Sequence, residues 1–184
     1  ATDTNTDKDT AAVYAENGAN TETMVNLKAD NGVVNVLSGN KGLWASGKGG
    51  TINVDGAVNI NANYFADESA TRSAGEDVHL AVVAGVKSPE EGQNGKGLVD
   101  INLKGDVGLV DINLKGDVTS SIYGDIVGAR GGEVDIKRES GNGALVVNGD
   151  VLAGNGGTVI LEMGKNGVLT GRIDDYMDAD KKNG

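Results

Sequence analysis

The sequence predicts an all-β chain wound as a single-stranded parallel β-helix, a solenoid of short stacked strands with loop insertions. Three observations carry this. The run Gly97–Val107 (Gly-Leu-Val-Asp-Ile-Asn-Leu-Lys-Gly-Asp-Val) recurs letter for letter as Gly108–Val118. Looser versions, each glycine followed by a short strand, stand at Gly49–Gly56, Gly131–Ile136 and Gly156–Leu161. Most strand candidates also alternate apolar with polar residues, as Val99, Ile101 and Leu103 do against Asp100, Asn102 and Lys104. Period two means that one face meets a core and the other meets water. A unit this short cannot bury its apolar side alone, so its neighbours must cover it.

Composition agrees. Glycine is frequent (30 of 184 residues), proline occurs once, and aromatics make up only 3% of the chain, which fits aliphatic ladders between tight turns. Strand candidates follow in order: Met24–Lys28, Val33–Leu37, Thr51–Val54, Ala57–Asn61, Val78–Val86, Leu98–Leu103, Leu109–Leu114, Glu133–Ile136, Ala144–Asn148, Thr158–Leu161 and Val168–Ile173. Glycine, asparagine or aspartate bounds most of them, as turn chemistry requires. Helix is minor, and its best candidate is Ala66–Ala74. Like stacked on like favours the β-helix over a Greek-key sandwich. Turns of roughly 20 residues would give about nine coils.

Three regions follow: a polar segment, 1–23, expected to fray; the solenoid, 24–173; and an acidic tail or cut edge, 174–184. Two stretches break the strand pattern and are expected to leave the rod, Asn61–Asp77 and Lys87–Lys96. In repeat proteins such insertions often form the binding face. Within the first, Tyr64 and Phe65 beside Asp67, Glu68 and Arg72 form the candidate partner-binding loop. Aromatics and arginine dominate interface energetics, although the ring pair would also serve to tuck the loop onto the rod.

The net charge of −11 argues against nucleic acid and against adsorption to an anionic bilayer. No apolar run approaches membrane-spanning length. The absence of cysteine removes disulfides and thiolate metal sites. A chain opening Ala1-Thr2-Asp3, without an initiator methionine, is expected to be a mature or excised fragment.

No catalytic constellation assembles, so no enzyme, cofactor or metal site is expected. Gly42–Lys48 matches the opening of a phosphate-binding loop, but Gly49 follows where a hydroxyl belongs and a strand replaces the helix, so it reads as a turn. Asp3–Asp7 imitates a calcium loop, yet Lys8 and Tyr14 stand where glycine and the bidentate glutamate belong, and Lys182 spoils a second opening at Asp178 and Asp180. Weak adventitious calcium binding is the remaining option. Asp174 and Asp175 are adjacent, so on a strand they point to opposite faces and make no hydrolytic pair. His79 is flanked like a solvent-facing strand or loop residue. Lys104-Gly105-Asp106 and Lys115-Gly116-Asp117 read as turns, and Trp44, between Leu43 and Ala45, reads as buried at a coil corner.

With these phrases in view, the chain resembles passenger segments of bacterial autotransporters (type V secretion), of the pertactin-like and adhesin type. The likeness rests on Gly42–Ala45 followed by Gly49–Ile60, on Gly97–Val118, on Leu145–Val151, and on Gly156–Leu161 with Gly167–Gly171. It spans about residues 24–173 and lies in style rather than in a diagnostic motif. The resemblance implies a right-handed parallel β-helix, extracellular, exported through the outer membrane and displayed on a bacterial cell surface. The expected function is a non-enzymatic adhesin or self-association module. Its partners would be a host or neighbouring-cell surface protein or glycan, or another copy of itself, with no nucleic acid and no membrane insertion of this segment. The alternatives are a structural stalk displaying another domain and a carbohydrate-active β-helix.

Overall fold

The computed structural model describes residues 1–3, 11–16, 22–46, 49–62, 80–85, 108–129, 131–154 and 156–175. Among them every regular element is a strand. In chain order these are β1 (Thr2–Asp3), β2 (Ala11–Glu16), β3 (Thr23–Ser38), β4 (Lys41–Ser46), β5 (Gly50–Asn61), β6 (Leu80–Ala84), β7 (Gly108–Leu114) and β8 (Ser120–Tyr123). There follow β9 (Asp125–Ala129), β10 (Glu133–Arg138), β11 (Leu145–Asn148), β12 (Val151–Gly154), β13 (Thr158–Leu161), β14 (Val168–Thr170) and β15 (Ile173–Asp175).

Their pairing is parallel throughout and forms two sheets. Sheet A has two columns. The first stacks the start of β3 on the start of β5, then β7, β10 and β13; the second stacks the ends of β3 and β5, then β8, β11 and β14. Sheet B runs β2-β4-β6-β9-β12-β15. The chain visits column one, column two and sheet B in that order, five times among the described residues. Where no long insertion intervenes, one circuit carries the chain from Val146 to its partner Val168, or from Glu133 to Thr158. The circuit is therefore longer, and the stack shorter, than turns of about 20 residues imply.

Ladders of aliphatic side chains fill the space between the sheets. Column one contributes Leu27, Val54, Ile112, Ile136 and Leu161; column two Val36, Ile60, Ile122, Val147 and Leu169; sheet B Val13, Leu43, Val82, Ile126 and Val151. Most are fully buried, each stabilising by about 1.5–3 kcal/mol. Burial fades in the last circuit, where Ile173 is 77% exposed.

The recurring glycine pair has a steric cause. At Gly131-Gly132 and Gly156-Gly157 the first glycine takes a positive φ (82° and 80°), turning the chain from sheet B into column one. The second must lack a Cβ, because that atom would collide with backbone of the sheet-B strand one circuit earlier: Ala84 for Gly132, Gly128 for Gly157. Gly50 and Gly108 meet Ala15 and Ala45 in the same way. A small-residue ladder, Ala15-Ala45-Ala84-Gly128-Ala153, runs up sheet B at that corner.

Several expectations change. The glycine-led units do stack, but β7 lies between β5 and β10, not against its verbatim copy, for both of its edges are taken. Each copy of the duplicated run is about half as long as such a circuit. Met24–Lys28 and Val33–Leu37 are two ends of one strand, β3, with a register shift between Lys28 and Val33 that Gly56 (φ 132°) accommodates beside Ala29. β2 lies inside the segment read as fraying, and it buries Val13 and Ala15. Gly42–Ser46 is not a turn: it belongs to β4, a strand buried at every position. Ala66–Ala74 and Leu98–Leu103 lie outside the described residues.

Candidate functional site

The partner-loop residues Tyr64, Phe65, Asp67, Glu68 and Arg72 lie outside the described residues, as do His79, Lys104–Asp106, Asp178 and Asp180. What the fold fixes is where that loop is anchored. It leaves after Ala62, fully buried, whose N–H donates to the Tyr123 carbonyl at 3.0 Å. The chain is described again at Leu80, the buried first residue of β6. The next long stretch, 86–107, leaves after Gly85, whose N–H donates to the Ala45 carbonyl at 3.0 Å. The two longest stretches between consecutive described strands therefore flank one five-residue strand, β6, in the middle of sheet B. Alternation alone would not have shown where the strand between these two stretches lies; the pairing of β6 between β4 and β9 does.

Sheet B here is apolar on both faces. Leu43, Val82 and Ile126 point to the main core, while the intervening Trp44, Val83 and Val127 stack in register on the opposite face and are buried with Leu80 and Ala129 in a second cluster. Trp44 is 1% exposed, so its expected burial holds, though at mid-strand rather than a corner. Tyr14 stacks on it with ring centroids 4.5 Å apart, and the Lys41 Nζ lies 4.6 Å from the ring centroid. Burial pushes the Tyr14 phenol up to about 12, against the opposing hydrogen bond with the Ser46 hydroxyl at 3.3 Å.

Sheet A turns polar ladders outward. The Asn53 amide donates to Asn26 Oδ1 at 2.8 Å; the Asn59 amide donates to Asn35 Oδ1 at 3.0 Å, and the Ser121 hydroxyl donates to Asn59 Oδ1 at 3.1 Å. The Gly-Asp turns brace one circuit against the next. Asp125 Oδ1 accepts from the Asp150 N–H at 2.8 Å, and Asp150 in turn accepts from the Arg172 N–H at 2.9 Å and from two of its guanidinium nitrogens. That contact holds the Arg172 guanidinium still more firmly protonated. Lys115-Gly116-Asp117 is a turn of the same kind. Lys115 reaches Asp55 at 2.6 Å and Glu139 at 3.1 Å, and Asp117 Oδ1 accepts from the Asn142 N–H at 2.7 Å. Asp117, Asp125 and Asp150 are thus engaged in structure. Asp174 and Asp175 are exposed on β15, where Asp174 Oδ1 accepts from the Asp175 N–H at 2.8 Å.

No group of three or more His, Cys, Asp or Glu is placed to hold a metal ion among the described residues. No protein-family model, curated protein or solved structure matches the chain.

Proposed function

We propose that this chain is a segment of a right-handed parallel β-helix that stands outside the cell as a non-enzymatic adhesin or self-association module. The observation that carries the reading is that the two longest stretches between consecutive described strands both adjoin β6. A stack of parallel strands makes a stiff support, and the described residues that flank both stretches belong to one level of it. The resemblance to autotransporter passengers supplies the cell-surface setting and the handedness. Recognition falls to Tyr64, Phe65, Asp67, Glu68 and Arg72, with a surface protein or glycan of another cell, or a second copy of the chain, as partner.

The second reading is a structural stalk displaying another domain; the verbatim duplication favours it, because a length-adjustable spacer tolerates copying. The test is binding of the purified chain to glycan arrays and to cells, compared with a variant lacking residues 63–77. Loss of binding with an unchanged melting midpoint is expected. Undiminished binding would remove the loop assignment, and absence of any binding or self-association would favour the stalk.

A further inference from the structure

We propose that the outer face of column one binds a calcium ion between Asp111 and Asp135, with the side-chain oxygen of Asn53 on the strand below as a further ligand.

Asn53, Asp111 and Asp135 occupy one register position on the successive strands β5, β7 and β10, all facing outward. Below them the ladder is satisfied: the Asn53 amide nitrogen donates to Asn26 Oδ1 at 2.8 Å. That donation leaves the Asn53 oxygen for the next step, toward Asp111, and ionised aspartate only accepts. Two successive steps of the ladder therefore set acceptor against acceptor.

One oxygen of each carboxylate is also withdrawn from water. Asp135 is 4% exposed; Oδ1 of Asp135 and Oδ1 of Asp111 are both buried, and neither has a hydrogen-bond partner. The Lys137 ammonium pairs directly with Asp135 Oδ2 and acts on Asp111 from further off, from a side chain that is itself half in solvent. One partial counter-charge faces two adjacent carboxylates with two unsatisfied oxygens. Such an arrangement repels itself unless a cation lies within it. Asp55 Oδ1, on the neighbouring outward carboxylate of column one, also has no hydrogen-bond partner, but the Lys115 ammonium lies 2.6 Å from that same oxygen.

Spacing selects the ion. Neighbouring strands lie about 4.7–4.9 Å apart, and an ion midway between oxygens at that separation sits about 2.4 Å from each, within the roughly 2.3–2.6 Å range of calcium. Magnesium, at about 2.0–2.1 Å and with its demand for octahedral geometry, fits that separation less well. Two carboxylates and one amide oxygen leave the remaining positions to water, the ligand count of a weak extracellular site with a dissociation constant on the order of 10⁻⁴–10⁻³ M. The sequence hides this site because its ligands stand on three different circuits, far apart along the chain, and meet only through strand register.

Thermal unfolding in EDTA, then in rising CaCl2 or MgCl2, tests it. The expected result is a midpoint about 3–6 °C higher at ten times the dissociation constant of calcium, with a smaller response to magnesium. Asp135→Asn should abolish that rise. In EDTA it should melt above the parent chain, because its amide can donate to Asp111. Lys137→Ala, which frees the second Asp135 oxygen, should bind calcium more tightly by calorimetric titration. No calcium-dependent rise in the parent chain would overturn the proposal. So would a rise of equal size in Asp135→Asn, which would place the ion elsewhere on the acidic surface.

Discussion

Sheet A and the middle of sheet B are built from the same parallel strands but solve different packing problems. In β5 and β7 of sheet A, buried and half-exposed residues alternate, with aliphatic ladders inward and asparagine, aspartate or threonine outward. In β4, β6 and β9 of sheet B every residue is buried. One-sided strands need alternation, whereas two-sided strands need small or apolar residues at nearly every position, as in Lys-Gly-Leu-Trp-Ala-Ser and Leu-Ala-Val-Val-Ala. The contrast explains the glycine, alanine and serine of β4, which pattern reading assigns to a turn. It also locates the chain's one tryptophan on the outer face of sheet B.

The contrast can be broken by substitution. Trp44→Ala should cost about 3–5 kcal/mol in denaturant unfolding, because the ring is enclosed between Tyr14 and its sheet-B neighbours. Thr51→Ala, on the outward side of column one, should stay within about 0.5 kcal/mol. Equal costs would erase the distinction between the sheets. At the corner joining them, Gly132→Ala should cost about 2–3 kcal/mol, since the backbone of Ala84 and Gly85 blocks the added methyl. Gly116→Ala meets open space and should cost only about 1 kcal/mol for its left-handed conformation (φ 78°).

A smaller effect sharpens the picture at the edge of sheet B. The Tyr14 phenol ionises near 12 in the fold, against 10.0 for a free tyrosine. Its neutral form therefore contributes stability that is whole below pH 10 and is lost as the pH rises through 12. Tyr14 is 40% exposed, so solvent screening keeps the contribution modest. Tyr14→Phe should flatten this alkaline decline, and a tyrosinate absorbance titration should lose its highest-pH component.

Legibility followed the same division. Leu109–Leu114 and Thr158–Leu161 were readable as strands because their burial is one-sided or periodic. β9 and β12 were not, for Gly128, Ala129, Ala153 and Gly154 carry no period-two signal, and their place depends on neighbours a full circuit away along the chain. The glycine pairs were legible as punctuation, but their second members are explained only by the sheet-B strand that they pass. The verbatim duplication, the loudest signal in the sequence, pointed to like on like, whereas register seats Leu109 on Thr51 and under Glu133. The candidate loop lies outside the described residues. That the two longest stretches between described strands adjoin the same strand, β6, was not legible, because sequence distance does not show which strands lie side by side.

Register is therefore the claim to test directly, and a chain without cysteine offers a clean background. Two double-cysteine variants suffice, Thr51→Cys with Leu109→Cys and Leu98→Cys with Leu109→Cys. Neighbouring in-register strands hold Cα atoms about 4.8 Å apart, within disulfide reach. Mild oxidation followed by mass spectrometry should show the first pair closing and the second staying open. Closure of the second pair in place of the first would mean that the duplicated runs stack on each other, and the strand order described above would be wrong.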